Sequence, residues 1–466
     1  MRVACNKKPR EGACGENPER NSNKRRTKTK LRCAKICAYF GELPRCKTKK
    51  IKMNSKLTSI LLAATFAVSP LLHAQDKATL DLLVAKGVIT RAEADGVSKK
   101  AVQVSAKEKS TKSIKISGRL QMQYENINVD ETVAGVENSL VSQNNFLMRR
   151  IFLGMNADLG AGWSTEIVTD FMSDKTNYID KAVVTKKVDW DYLQGKLAFG
   201  FQKINFGLEE NTSSAKMATI ERSLATRYFT EPASSTTMGI GARHVGVFWS
   251  GKIPQVDGLE YSLSLTNSYS NNAGKALNNA NDLMYAAGVS YKANIDKAAV
   301  KVGSNFVYTN GLDVNNGGKH RDAVGVNPYI TFAWSGLTVQ SDFLLASVQD
   351  GGMGNTQNAT PMGVNVSAEY KFDIGEFGQI APVVRYSWLD TDGRGIKMGD
   401  AVRRSNSGKT YNAGQSVYIG ANWYIIGDSL KFQLGYEWAQ LNDNTAQTVA
   451  QHSEANAVRA QIQVLF

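Results

Sequence analysis

Apolar and polar residues alternate along most of the chain beyond residue 113. The final segment, residues 455–466, places five apolar side chains on one face and Arg459, Gln461 and Gln463 on the other. A two-residue period is that of a β-strand, whose successive side chains point to opposite faces. The period recurs in segments of about 9 to 11 residues, the length of a tilted membrane crossing. It predicts about sixteen strands, beginning near residues 114, 145, 163, 178, 194, 243, 259, 283, 298, 324, 337, 362, 379, 415, 429 and 455.

The predicted connections between these strands alternate in length. Short turns, such as residues 160–162 and 335–336, are interleaved with longer polar segments. Short turns on one side and long loops on the other are typical of an outer-membrane β-barrel. An even number of strands then places both ends of the barrel chain on the short-turn, periplasmic side. The long connections are predicted at residues 127–144, 207–240, 270–281, 310–322, 349–361, 390–413 and 442–454.

Hydropathy and tryptophan placement also favour a barrel that crosses a membrane with strands. No stretch beyond residue 75 has 18 consecutive apolar residues, so helical spans are excluded and a closed barrel remains. Five of the seven tryptophans lie within a few residues of a short turn, as in an interfacial girdle. The alternative is a soluble β-sandwich or barrel with ordinary strand aromatics. The fold class predicted is all-β, a transmembrane antiparallel β-barrel over residues 113–466.

The formal charge of +14 is concentrated at the start of the chain. Residues 1–52 hold 17 Lys and Arg against 4 Asp and Glu, together with all five cysteines, which leaves +1 for the rest. The charge therefore does not indicate a nucleic-acid partner for the main part of the protein. We interpret residues 1–52 as an upstream extension that precedes the true start at Met53. The alternative is a basic cytoplasmic arm or a zinc-binding module, for which the cysteine spacing is weak evidence.

Two shorter segments follow before the barrel. Residues 53–74 have the basic start, apolar run and small residue of a secretory signal peptide. Residues 75–112 are predicted to be a periplasmic helical lead-in and linker, in which Thr90 and Glu93 have capping-box spacing. The alternative for this second segment is a disordered tail.

Each predicted strand has one apolar and one polar row, and the polar row is assigned to the lumen. A basic side chain that faces water has little free-energy cost, whereas one that faces lipid at mid-depth destabilises the barrel by ~2–4 kcal/mol. Arg149 and Lys203 fall on the apparent lipid row, near the long-loop rim where their charged ends reach water. The inward basic residues are Lys115, Arg119, Arg150, Lys292, Lys301, Lys371, Arg385, Lys431 and Arg459.

Four motifs resemble, in order and spacing, the phosphate-selective porin O/P family. They are FLMRRIFLGMNADL (146–159), FGFQKINFGLEENTSS (199–214), IERSL (220–224) and ARHVGVFWSGKI (242–253). The early LDLLVAKGVITRAEADGV also resembles the lead-in of that group. The resemblance implies a sixteen-stranded barrel, usually trimeric, with inward-folded loops that narrow the channel and basic side chains that conduct anions.

The resemblance also indicates where the channel narrows. The connection at 207–240 is the longest and is the candidate constriction loop. Glu221 and Arg222 lie in the IERSL motif, and the alternative for them is a structural ion pair that fixes the loop. The constriction candidates from this region are Lys216, Glu221, Arg222, Arg227 and Arg243.

We therefore predict an outer-membrane porin that passes small hydrophilic solutes by diffusion, with anions preferred. The predicted lumen also carries Asp158, Glu166, Asp170, Glu369 and Glu437, so phosphate specificity rests on the resemblance alone. The expected partners are small solutes or anions, outer-membrane lipid, the barrel-assembly machinery through Phe466, and two further copies in a homotrimer. No cofactor, metal or catalytic residue is predicted.

Two other functions stay open at this point. One is an outer-membrane enzyme, although the chain contains no G-x-S-x-G or P-loop motif, and His244, His320 and His452 are far apart in sequence. The other is a plugged structural barrel or adhesin whose loops bind surfaces. A plugged barrel would give no steady conductance in a planar bilayer.

Overall fold

The computed structural model describes residues 81, 84–87, 89–95, 113–133, 135–172, 178–234, 236–268, 282–312, 320–352, 357–403, 409–443 and 451–466. The predicted extension, the signal peptide and most of the lead-in and linker lie outside these residues.

The chain divides into two units, Met1–Val102 and Gln103–Phe466. In the first unit, the backbone N–H of Thr90 donates to Glu93 Oε2 at 2.7 Å, and that of Glu93 donates to Thr90 Oγ1 at 3.2 Å. This reciprocal pair is the predicted capping box. None of the described helices is long and apolar enough to span a membrane.

Sixteen antiparallel strands form one closed barrel in the second unit. Each strand pairs with the next along the chain, and the first pairs with the last. In chain order they are β1 Ser113–Val133, β2 Val136–Gly160, β3 Trp163–Asp170, β4 Ile179–Trp190, β5 Leu193–Lys203, β6 Arg243–Lys252, β7 Leu259–Asn267, β8 Leu283–Ile295, β9 Ala298–Leu312, β10 Arg321–Trp334, β11 Leu337–Val348, β12 Met362–Tyr370 with its continuation Phe372–Asp373, β13 Gln379–Asp390, β14 Ala413–Asp428, β15 Leu430–Asp443 and β16 Gln451–Leu465.

The barrel has the predicted class and strand count, and most strands begin within three residues of the predicted positions. Closure leaves no strand edge, so every strand finds partners on both sides. At the closing seam, the Gly118 N–H donates to the Phe466 carbonyl at 2.7 Å and the Phe466 N–H donates to the Gly118 carbonyl at 3.1 Å.

The wall is apolar outside and polar inside. On β1, Leu120 and Met122 are exposed, whereas Gln121 and Gln123 are buried in the lumen. This confirms the assignment of the polar rows to the inside. Gln121 and Gln123 bond to Gln463 and Gln461 across the seam at 2.6 and 2.7 Å, so amide pairs form part of the inner wall. Trp163, Trp190, Trp334 and Trp423 are exposed beside short turns, as a girdle requires.

Three sequence predictions about β1, β2 and β5 were wrong. Of residues 127–144, predicted as a loop, 127–133 and 136–144 are the long paired ends of β1 and β2. Arg149, predicted on the lipid row, is the extra residue of a β-bulge and turns into the lumen, because the register passes from Arg150 to Met148. Lys203, also predicted on the lipid row, lies at the end of β5 and contacts Glu210 inside the barrel.

The segment between β5 and β6, residues 204–242, folds into the lumen and is called the constriction loop here. It contains the short helices α1 (Leu208–Asn211) and α2 (Leu224–Thr230), and a third, α3 (Met398–Ala401), lies in the connection after β13. All seven residues of α2 are buried. The constriction loop therefore sits inside the barrel wall.

An apolar core lies inside the barrel at its long-loop end. Because α2 packs there, the inward rows of the neighbouring strands become apolar, where sequence reasoning expected polar residues throughout. The buried side chains of this core include Ile127, Val129, Leu224, Tyr228, Phe229, Leu344, Val348, Leu389, Met398, Val402, Leu441 and Ala457.

Candidate functional site: the channel and its constriction loop

The constriction loop is bound to one side of the barrel by its own backbone. Three carbonyl oxygens of one short stretch of the loop accept hydrogen bonds from inward side chains of β14, β15 and β16. Lys431 Nζ donates to the Met217 carbonyl at 3.0 Å, Asn422 Nδ2 to that of Ala218 at 2.9 Å, and Gln463 Nε2 to that of Ala215 at 3.0 Å. The loop is therefore attached to the wall formed by β14 to β16.

Arg385 and Arg459 hold the same side together and do not face the open lumen. Arg385 donates to Glu209 at 2.9 Å, to Glu437 at 2.7 Å and to the Glu221 carbonyl at 2.7 Å. Arg459 lies 3.3 Å from Glu437 and 3.7 Å from Glu125. Both guanidinium groups are almost fully buried, and each positive charge is balanced by carboxylates in ion pairs.

Glu221 binds the wall rather than Arg222. Its two carboxylate oxygens accept hydrogen bonds from Arg149 Nε and Nη2 at 2.5 and 3.0 Å, and Arg403 Nε lies 3.3 Å away. Burial opposes ionisation, but Arg149 outweighs it and holds the pKa of Glu221 well below its usual range. Arg222 instead pairs with Glu210 at 2.6 Å. The alternative ion pair between Glu221 and Arg222 is therefore wrong, although each residue fixes the loop through another partner.

Helix α2 is joined to the connection after β13 by Arg227. This side chain pairs with Glu231 at 3.1 Å and donates to the carbonyls of Ala401 and Gly399 at 3.2 and 3.3 Å. Ser223 caps the helix, since its side chain accepts from the Thr226 N–H. Arg227 thus binds two inward segments to each other.

Three cavities that share lining residues follow one another along the opposite side of the constriction loop. Together they are called the lane here. The outer cavity has a volume of about 810 Å³, the middle one about 590 Å³ and the inner one about 670 Å³. Lys203, Ser214 and Arg243 line both the outer and the middle cavity, and Asn205 and Asn211 line both the middle and the inner one. The lane therefore runs from the long-loop side to the short-turn side, against the wall formed chiefly by β2 to β9.

The middle of the lane is predominantly basic. Its lining contains Arg119, Lys181, Lys203 and Arg243, against Glu166 and Asp180. Asp180 pairs with Arg243 at 2.5 Å and Glu166 pairs with Lys181 at 2.7 Å. Arg119 donates to Ser214 Oγ at 2.5 Å and stacks on the Phe152 ring at 4.6 Å. Both carboxylates of this lining are thus neutralised, while Arg119 contacts a neutral hydroxyl.

The inner cavity is also basic. It is lined by Lys187, Lys196, Lys252 and Lys301 against Asp189 and Glu260. Lys301 pairs with Glu260 at 2.7 Å, and Lys187 lies 3.7 Å from Asp189. Within the described part of the chain, Lys196 and Lys252 form no ion pair. Their charges face the water of the lane.

Six of the ten predicted site residues line the lane, and the other four do not. Arg119, Arg150, Arg222, Arg227, Arg243 and Lys301 line the lane. Glu221 and Arg459 lie in the loop contacts described above, and Lys216 and Arg385 line a separate cavity. The charged lane residues that sequence reasoning missed are Glu125, Arg149, Asp180, Lys181, Lys187, Asp189, Lys196, Lys203, Glu210, Glu231, Lys252, Glu260, Asp400 and Arg403.

Bulges explain two of the missed residues. Asp180, like Arg149, is the unpaired residue of a register shift, here between β3 and β4. The adjacent basic pair Arg149 and Arg150 was the available signal, because strict alternation forces one of them onto lipid.

His244 on β6 is not free to act as a catalytic base. His244 is buried, and its two ring nitrogens lie 2.9 and 3.1 Å from the carbonyl oxygens of Asn267 and Gly239. The described residues contain no cluster of histidines, cysteines and carboxylates suited to a metal ion.

A closed barrel with a polar lane through its lumen and an apolar outer face is a porin, an outer-membrane channel for small solutes. The family described as phosphate-selective porin O and P matches residues 114–466. The chain belongs to this family.

The chain is similar to several solved structures at low sequence identity. An anion-selective porin from Comamonas acidovorans is 11% identical, with a TM-score of 0.50, and the match covers 76% of this chain and 99% of that chain. The outer membrane channel DcaP of Acinetobacter baumannii is 12% identical over 76% and 97% of the two chains, with a TM-score of 0.48. Pseudomonas putida OprB is 9% identical over 79% and 97%, with a TM-score of 0.48. No curated protein matches the sequence.

Proposed function

We propose that the lane conducts small hydrophilic solutes by diffusion and prefers anions. The observation that carries this proposal is the charge of the middle lining, where both carboxylates are paired and Arg119 contacts only neutral groups. A unit charge at about 6 Å in water changes an ion's energy by ~0.7 kcal/mol, so each unpaired cation contributes a modest preference. Lys196 and Lys252 extend the same field through the inner cavity.

Phosphate is one candidate among the anions. Phosphate recognition needs several donors converging on one point. Arg119, Lys203 and Arg243 line the same cavity, but Lys203 and Arg243 are paired with Glu210 and Asp180, so Arg119 is the group that supports a weak anion site at the middle of the lane. The proposal is therefore a general anion preference with phosphate as a retained solute.

The test is the reversal potential of purified Arg119→Gln protein in a planar bilayer under a KCl gradient. We expect the anion-to-cation permeability ratio to fall by up to about tenfold, because ~0.7 kcal/mol of opposite sign for the two ions is ~1.4 kcal/mol in their difference, which salt screening reduces. Lys186→Gln is the matched control, because Lys186 lies over the Trp163 ring on the outer face. An unchanged ratio in Arg119→Gln would contradict the proposed role.

The orientation, the oligomeric state and the assembly of the barrel belong to the same proposal. Both barrel ends and the short turns face the periplasm, three copies assemble into a homotrimer in outer-membrane lipid, and Phe466 is read by the barrel-assembly machinery. Single cysteines at Asp296 and at Ser142, labelled with an impermeant maleimide on whole cells, test the orientation: only the second should react. Native mass measurement tests the trimer, and deletion of Phe466 should lower the amount of folded barrel in the membrane.

The domain boundaries are proposed on sequence grounds. Cleavage of a signal peptide at residues 53–74 predicts that the exported protein begins at Gln75, which N-terminal sequencing tests. Recovery of a mature chain that still contains residues 1–52 would contradict the assignment of that segment as an upstream extension.

A further inference from the structure

A separate cavity, called the side chamber here, lies between the constriction loop and β11, β12 and β13. Its volume is about 270 Å³, below the ~300–1,000 Å³ of sites for drug-sized ligands, so only a small solute fits. Its loop wall is formed by Leu208 to Thr219, and its polar lining includes Lys216, Asp342, Asn365, Glu369, Lys371 and Arg385.

At one end of the side chamber, Asp342 is a buried carboxylate without a cationic partner. The residue is 3% exposed. Its Oδ2 accepts from the Leu208 N–H and Asn327 Nδ2, both at 3.1 Å, and its Oδ1 accepts from Asn365 Nδ2 at 2.9 Å. No lysine or arginine of the described ranges lies within ion-pair distance of it. A buried charge in this state favours a cation beside it.

Asn365 provides a second acceptor at the same end. It is 5% exposed, and its Nδ2 donates to Asp342 Oδ1 and to Thr226 Oγ1 at 3.0 Å. Its Oδ1 is buried and accepts no hydrogen bond among the described groups. A carboxylate and a free amide oxygen together match an ammonium group, which is cationic and has three donors.

The rest of the side chamber carries charges of both signs, with Lys216, Lys371 and Arg385 against Glu209, Glu369 and Asp428. Lys216 is exposed, and Lys371 Nζ lies 3.8 Å from Glu369 and 4.2 Å from the centre of the Tyr424 ring. Arg385 already pairs with Glu209 and Glu437, and Asp428 lies 3.4 Å from Lys431. Among the described residues that line the chamber, Lys216 is therefore the cation, and Asp342 the carboxylate, without an ion-pair partner.

We propose that the side chamber binds a short zwitterion, of amino-acid to dipeptide size. The ammonium group lies against Asp342 and Asn365, and the carboxylate lies toward Lys216. This goes beyond the proposed anion conduction, because the side chamber and the basic middle of the lane lie on different sides of the constriction loop. A zwitterion is thereby retained beside the channel rather than in it.

The test is calorimetric titration of the purified barrel with three peptides. We expect Ala-Ala to bind, and both N-acetyl-Ala-Ala, which lacks the ammonium, and Ala-Ala amide, which lacks the carboxylate, to bind at least tenfold more weakly. Equal binding of the three peptides, or no heat from Ala-Ala at millimolar concentration, would overturn the proposal. In the second case the chamber holds water only.

Two variants identify the recognising groups. Asp342→Asn keeps the shape and the acceptor for the Leu208 N–H but removes the charge, so Ala-Ala should lose its advantage over N-acetyl-Ala-Ala. Lys216→Gln should weaken Ala-Ala several-fold and leave Ala-Ala amide unchanged, whereas the outer-face control Lys186→Gln should change neither. Full affinity in both chamber variants would overturn the proposal. If Asp342→Asn does not fold, the comparison of the three peptides on the unaltered protein still shows whether the side chamber binds a zwitterion.

The same protein serves both tests, so the two proposals can fail separately. Loss of anion preference with intact Ala-Ala binding would contradict the proposed conduction alone. Anion preference with no discrimination among the peptides would contradict the side chamber alone.

Discussion

Arg149 and Glu221 form a bidentate ion pair that joins a bulge in the barrel wall to the constriction loop, with N–O distances of 2.5 and 3.0 Å. Both side chains are nearly buried, at 11% and 5% exposure. Removing one member of such a pair leaves an uncompensated charge and costs ~3–5 kcal/mol. The pair is therefore one of the contacts that hold the loop in position.

Replacing Glu221 by Gln should loosen the constriction loop while the barrel persists, because closure of the sheet does not depend on this contact. We expect a higher and noisier single-channel conductance, together with faster proteolysis within residues 204–242. Circular dichroism of the variant should show an unchanged strand content. A steady conductance equal to that of the unaltered protein would show that the ion pair does not hold the loop.

Acid should release the loop only at very low pH. Burial works against ionisation of Glu231, but Arg227 and Arg403 lower its pKa from 4.5 to about 2, and the pKa of Glu210 is lowered by Arg222 and Lys203 despite its burial. A carboxylate with a lowered pKa in the folded state contributes stability that is complete above about pH 4.5 and is lost as the pH falls toward 2.

Single-channel recording between pH 7 and pH 2 tests this expectation. Conductance should stay constant to about pH 4 and change only below about pH 3. A transition centred at the ordinary carboxyl pKa of 4.5 would mean that these ion pairs do not stabilise the loop.

Changing Asp180 to Asn should strengthen the preference for anions. Asp180 neutralises Arg243 at 2.5 Å, so its removal exposes a positive charge in the middle of the lane. The reversal potential should shift toward that of the anion, opposite in sign to the shift in Arg119→Gln. The two effects should both shrink at high salt, because the Debye length falls to ~3 Å at 1 M. A cation-directed shift in Asp180→Asn would contradict the assignment of this lining.

A side chain at Gly363 should displace helix α2 from the wall. A Cβ atom there would lie 2.7 Å from Ala225 Cβ, closer than carbon atoms tolerate. Overpacking of a well-packed core costs ~1–3 kcal/mol, so Gly363→Val should lower the thermal midpoint more than Gly363→Ala does. Equal midpoints for Gly363→Val and the unaltered protein would show that α2 does not pack closely against β12.

Sequence periodicity predicted the wall because each strand is in contact with lipid on one side and water on the other. The rows at Leu120 and Gln121 follow directly from that contrast. The periodicity could not predict the bulges. One extra residue, Arg149 or Asp180, reverses the local alternation of inward and outward side chains. The same limit produced the wrong lipid-side assignment of Arg149.

The roles of inward charges depended on contacts distant in sequence. Arg385 was correctly placed on the inward face, but its partner Glu209 is 176 residues away. The periodicity of one strand contains no information about which loop folds over it. Only the structure separates Arg385, which binds the loop, from Arg119, which lines the lane.

The reversal potential of the unaltered, purified protein in a planar bilayer under a KCl gradient tests the central claim most directly. The basic lining of the lane predicts reversal on the side of the chloride potential, and added phosphate should reduce the current. Reversal at zero or on the potassium side would contradict anion preference. Steady conductance of zero would contradict an open lane and favour a plugged barrel.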